Sequence, residues 1–105
     1  MVANASLKKL ALLVTSDRYL DTVKGVFAQT GKENIELACF LTGGGVRALR
    51  DPDLLAMVRR GVACVGVCEL SWEREHMGER LEDIAYGSQY QNSQFVAWAD
   101  KVLVL

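Results

Sequence analysis

The sequence predicts an α/β domain in three layers, with helices on both faces of a mostly parallel sheet of about five strands, and three observations carry this reading. Short apolar runs alternate along the chain with segments whose apolar residues recur every three or four positions. The runs are nearly continuous rather than alternately polar, the pattern of strands covered on both faces. The first three of them also stop at polar or glycine residues, where a chain leaves a sheet.

The elements follow in order. Leu7 to Thr15 (LKKLALLVT) reads as a strand that becomes fully buried after Lys9. Tyr19, Leu20, Val23, Val26 and Phe27 give Tyr19 to Thr30 one buried helical face, with Gly31 as its stop. Gly25 within that helix costs about 1 kcal/mol relative to alanine, which packing can offset. Ile35 to Leu41 (IELACFL) is a second strand, too short for a typical helix. Val46 to Arg50 can form a helical turn, and a break falls at Asp51 because the residue before a proline is steered from helical angles. Asp51 then caps a helix with Pro52 in its first position, Leu54, Leu55 and Val58 inward, Arg59 and Arg60 in its last turn and Gly61 beyond. Val62 to Cys68 (VACVGVC), small and β-branched, is a third strand. Glu69 to Arg80 is polar and shows no clear period. Asn92 or Ser93 caps a helix carrying Phe95, Val96, Trp98 and Ala99, and Lys101 to Leu105 (KVLVL) is a closing strand.

A chain of 105 residues, half of them hydrophobic, fits one domain with a real core, and no repeat, linker or low-complexity tract divides it. Twelve basic against thirteen acidic residues leave a net charge of −1, which supplies no footprint for nucleic acid or an anionic membrane. The lysines and short apolar run near Met1 are too brief for a signal peptide or membrane span, so a cytoplasmic protein is expected. Three cysteines are an odd number. Cys39 and Cys64 lie inside apolar runs, where a thiol acts as a small hydrophobe, so a disulfide framework is not expected.

In an open parallel sheet, ligands and reactive groups gather beyond the C-terminal ends of the strands. Thr15-Ser16-Asp17, Thr42-Gly43-Gly44-Gly45 and Cys68-Glu69-Leu70-Ser71 should meet there. Cys68 alone of the three thiols stands at a strand end, where its sulfur can be reached while its backbone is held. A helix starting after it would favour the thiolate, Arg74 and His76 could add to this, and Glu69 opposes it. A third buried, inert thiol is the plainer alternative.

Cys64 and Cys68 do not form a pair, because four residues of strand span roughly 13 Å and a bridge needs α-carbons within about 7 Å. With His76 the sole histidine, no structural metal site is expected. Cys68 and His76 as nucleophile and base would make a thiol hydrolase, a reading without further sequence support. The glycines 43–45 could cradle an anion at a helix start, or serve only a tight turn, since they match neither a P-loop nor a dinucleotide fingerprint. Trp72, Trp98, Tyr86 and Tyr90 read as core or subunit-contact residues, with Trp72 and Tyr90 the interface candidates.

The order of elements and several short motifs resemble the DsrE/DsrF-like family of small sulfur-relay proteins over nearly the whole chain, and the resemblance implies a single such domain over residues 1–105. The resemblance rests on the opening strand ending in Thr15-Ser16 and on Phe40-Leu41-Thr42-Gly43-Gly44-Gly45-Val46. It rests also on Gly61-Val62 through Val67-Cys68-Glu69-Leu70-Ser71 and on Ala99-Asp100-Lys101-Val102-Leu103-Val104. It implies a three-layer fold, symmetric homo-oligomers such as trimers or hexamers, and a cysteine that accepts sulfur as a persulfide and passes it between donor and acceptor proteins. By position that cysteine is Cys68, and the chemistry requires no cofactor. The competing expectation is a non-catalytic oligomeric module that holds a small anion or nucleotide at Thr42, Gly43, Gly44 and Gly45.

Overall fold

The computed structural model describes residues 8–105, so Leu7 and the N-terminal segment read above for a targeting signal lie outside the described residues. Five strands, β1 (Lys8–Val14), β2 (Ile35–Leu41), β3 (Cys64–Cys68), β4 (Ala85–Gly87) and β5 (Lys101–Val104), form one sheet. Its order is β4-β3-β2-β1-β5, and every neighbouring pair is parallel. The helices are α1 (Leu20–Lys32), α2 (Pro52–Arg59), α3 (Glu69–Arg74) and α4 (Gln89–Trp98), with a 3-10 helix over Gly43–Arg50 between β2 and α2. The three-layer α/β/α class is therefore observed.

The continuous apolar runs are explained by what lies on each side of the sheet. Leu12 and Val14 stand in register with Cys39 and Leu41, and this face packs against Val23 and Phe27 of α1 and Leu54 of α2. Ala11, Ala38 and Phe40 point to the opposite face and are equally buried. There α4 crosses β1, β2 and β3, and the Gln91 amide lies over Gly66, where a Cβ would collide with it. Among the described residues no helix is long and apolar enough to cross a membrane.

Several boundaries differ from the sequence expectation, each for a local reason. Helix α1 runs through Gly31 to Lys32, and the turn out of it is made by Asn34 at φ 60°, a residue that tolerates the left-handed region. β3 begins at Cys64 rather than Val62, because the Gly61 and Val62 amides return to the Val58 and Met57 carbonyls and finish α2 as a Schellman turn. Gly61 takes the left-handed angle this motif requires, φ 75°. Asp51 caps α2 as expected, its carboxylate accepting from the Leu54 amide at 2.9 Å. The last helix starts earlier than Asn92 or Ser93, with Ser88 as the cap and its hydroxyl accepting from the Tyr90 amide. The polar segment Glu69 to Arg80 contains α3, and the three-residue β4 follows it, both without a readable period.

Candidate functional site

Loops from three strands meet at the C-terminal end of the sheet, as the topology requires. β3 ends at Cys68, in register with Gly87 of β4, and the chain turns directly into α3. Cys68 occupies the capping position of that helix, and its Sγ accepts from the Ser71 amide at 3.5 Å. Ser71 is buried, and its hydroxyl oxygen accepts from the Gly43 amide at 2.8 Å and lies 3.3 Å from Thr42 Oγ1. Thr42 Oγ1 in turn accepts from the Gln89 side-chain amide at 3.2 Å. The end of β2, the end of β3 and the start of α4 are thus tied together around one sulfur.

These contacts set the thiol's acidity. Burial pushes the Cys68 thiol up, but the Ser71 hydroxyl and amide, the Thr42 hydroxyl and the Leu70 amide together hold it below the ordinary cysteine value. Each hydroxyl accepts one hydrogen bond from an amide, so its own proton can be given to the sulfur. By contrast, burial alone raises the Cys39 thiol far above the ordinary range. A cavity of about 480 Å³ opens beside Cys68, lined by Glu69, Leu70, Glu73, Ser88 and Gln89. The neighbouring Glu69 carboxylate is partly countered by Arg80, 3.5 Å away, whose guanidinium also lies over the Tyr86 ring.

The exposure of the thiols differs from expectation. Cys64 is exposed, whereas Cys68 is 8% exposed and lines the cavity described above. Cys64 opens β3 two residues before β4 begins to pair, and it borders a groove of about 440 Å³ with Ala38, Phe95 and Trp98. His76 lies beyond the far end of α3 from Cys68, a helix length of roughly 9 Å for six residues. It makes no nucleophile and base pair with that thiol in this geometry. Trp72, read as core or as an interface candidate, is core, donating its indole N–H to the Gly78 carbonyl at 2.9 Å and meeting Tyr86 edge to face. Tyr90 is 72% exposed.

The glycine loop adjoins the site rather than standing open beside it. The Gly43 amide is engaged by Ser71 and the Gly45 amide by the Thr42 carbonyl. Gly43 takes φ 53°, and Gly45 lies so close under the Val14 carbonyl that no Cβ would fit. Gly44 lies against the Arg47 guanidinium, which binds Asp17 from the first loop through two hydrogen bonds and Glu75 from the end of α3. Among the described residues no group of three or more His, Cys, Asp or Glu side chains is arranged to hold a metal ion. The Ser71 amide was within reach of sequence reasoning, as it lies three residues after the strand-end cysteine, the spacing at which a cap meets a backbone N–H, whereas its hydroxyl carried no such signal. Gln89 carried no such signal, since its role depends on where β4 delivers α4.

Fold and site define a three-layer α/β/α protein with an all-parallel five-stranded sheet and a hydrogen-bonded cysteine at a strand end. No family model matches the sequence, and no curated protein matches it. The chain is similar in structure to the ychN protein from E. coli, with a TM-score of 0.74 over 95% of this chain and 100% of that one, at 16% sequence identity. At that identity the likeness is one of fold alone.

Proposed function

We propose that the protein is a small cytoplasmic sulfur carrier of the relay type, holding sulfane sulfur as a persulfide on Cys68 and passing it between partner proteins as a homo-oligomer, a trimer or hexamer. The observation that carries this reading is the convergence of the Ser71 amide and the Ser71 and Thr42 hydroxyls on one sulfur beside an open cavity. Those donors favour the thiolate, which is the attacking form. In the first step the Cys68 thiolate attacks the outer sulfur of a donor persulfide. A Cys68 S–S bond forms, the donor's S–S bond breaks, and the electron pair leaves on the donor thiolate. An acceptor thiolate then attacks that same outer sulfur, and Cys68 departs as the thiolate its hydrogen bonds stabilise. No cofactor enters either step. Three free cysteines suit a reducing compartment.

The test is incubation with glutathione persulfide followed by intact mass measurement. The expected result is an adduct of one sulfur atom on the wild type that is absent from Cys68→Ser and is discharged by an acceptor thiol. No adduct, or an adduct that survives in Cys68→Ser because it sits on exposed Cys64, overturns the reading.

A further inference from the structure

We propose that β5 forms half of a twofold interface with a second copy of this chain, in which the two β5 strands pair antiparallel about Leu103 and the sheets join edge to edge. This is independent of the chemistry at Cys68.

The described residues expose seven large hydrophobic side chains, and five of them, Tyr90, Val96, Val102, Leu103 and Val104, belong to α4 and β5. Neither element contains a single buried residue. A protein of near-neutral charge that leaves its last strand this apolar has an unfilled contact face, and little charge repulsion opposes its own copy. β5 pairs with β1 on one side, and among the described residues nothing pairs with its other edge. Edge strands are ordinarily blunted by charge, proline or bulges. Beyond Lys101 this one carries none of these.

The pattern of the strand fits itself. Leu105 directs its N–H to the Leu13 carbonyl and its C=O to the Thr15 amide, so the alternation of a strand aims the amides and carbonyls of Val102 and Val104 outward. In an antiparallel pair centred on Leu103, Val102 of one copy exchanges both hydrogen bonds with Val104 of the other. The two Leu103 residues meet as the closer, non-hydrogen-bonded pair. Val102 and Val104 stand in register with Ala11 and Leu13 on the face that α4 crosses, and Leu103 stands with Leu12 on the other, so valine meets valine and leucine meets leucine. The opposite edge, β4, has three residues and offers no equivalent template. A stable contact buries about 800 Å² on each partner. Four strand residues fall short of that alone, so the strand pair is expected within a larger assembly of copies rather than as an isolated dimer.

The experiment is sedimentation of the full chain together with site-directed crosslinking. The wild type should form an assembly of dimers such as a hexamer, and Leu103→Lys, which sets two like charges on the axis, should halve the assembly's mass or reduce it to odd-numbered species while the circular dichroism is kept. In a Cys64→Ser background, Leu103→Cys should oxidise rapidly to a disulfide mapped between the two copies of residue 103, since the closer antiparallel pair holds its α-carbons about 4.5 Å apart. That spacing is within the range a disulfide spans. Val102→Cys, which faces position 104 and not itself, should crosslink far more slowly. A wild-type monomer overturns the proposal. So does a bare trimer, an assembly indifferent to Leu103→Lys, or equal crosslinking at positions 102 and 103.

Discussion

Cys68 owes its character to three neighbours that reach it from different parts of the chain, and each can be removed singly. Ser71 gives the sulfur an amide and a hydroxyl, so Ser71→Ala keeps the amide and loses the hydroxyl. The pH midpoint of iodoacetamide alkylation at Cys68 should lie below the free thiol value of about 8.5. In Ser71→Ala the midpoint should move up and the rate at neutral pH should fall several-fold, while Cys39 stays unmodified until the protein unfolds. An unchanged midpoint would remove Ser71 from the site. The glycines separate by what they lie against. A Cβ at Gly45 would meet the Val14 and Thr15 backbone, which cannot move without disturbing β1, whereas a Cβ at Gly66 would meet only the flexible end of Gln91. Gly45→Ala should therefore cost about 1–3 kcal/mol in urea unfolding. Gly66→Ala should cost less, because the Gln91 carbonyl oxygen it displaces is buried without a hydrogen-bond partner. The position of Cys68 was legible from sequence, because a strand-end cysteine followed by polar residues is a local pattern. Its burial and the exposure of Cys64 were not, since these depend on where β4 starts to pair, a relation between segments some twenty residues apart.

Among the elements, α2 was the most legible because its signals are all local: Asp51, Pro52, the closing arginines and Gly61 each act within one turn. Its cap also gives the fold an acid-sensitive joint. The Leu54 amide above all, and then the Lys24 ammonium at 3.3 Å, hold the Asp51 carboxyl below the ordinary aspartate range against the opposing effect of burial. A carboxyl with a lowered folded-state pKa contributes stability above its unfolded value of about 3.9 and loses it as the pH falls through the folded one. The urea midpoints of the wild type and Asp51→Asn should thus differ by a constant amount above about pH 5 and converge below about pH 4. A gap that persists in acid would mean the charge at Asp51 contributes nothing. α3, β4 and the start of α4 were illegible for the converse reason. They are three to ten residues long, lack an apolar period, and are fixed by contacts such as Trp72 on Tyr86 and Gln91 over Gly66.

At the scale of the molecule, strand order governs what the chain can do, and strand order is not written in any one segment. The alternation of runs and helices predicted a parallel sheet, but not that β1 would lie between β2 and β5. That placement bears on how the protein is made. Thr15 bonds to Leu105, 90 residues away, through both its amide and its hydroxyl, and β1 pairs with β5 across a similar separation. β1 and β2 can zip together as soon as residues 35–41 have left the ribosome, yet the other edge of β1 stays raw until residues 101–105 arrive. Closing so long a loop is entropically expensive and slow. In pulse-labelled refolding, the β1 and β2 amides should gain protection first and the Leu105 and Thr15 amides last. Simultaneous protection would mean the sheet forms in a single step.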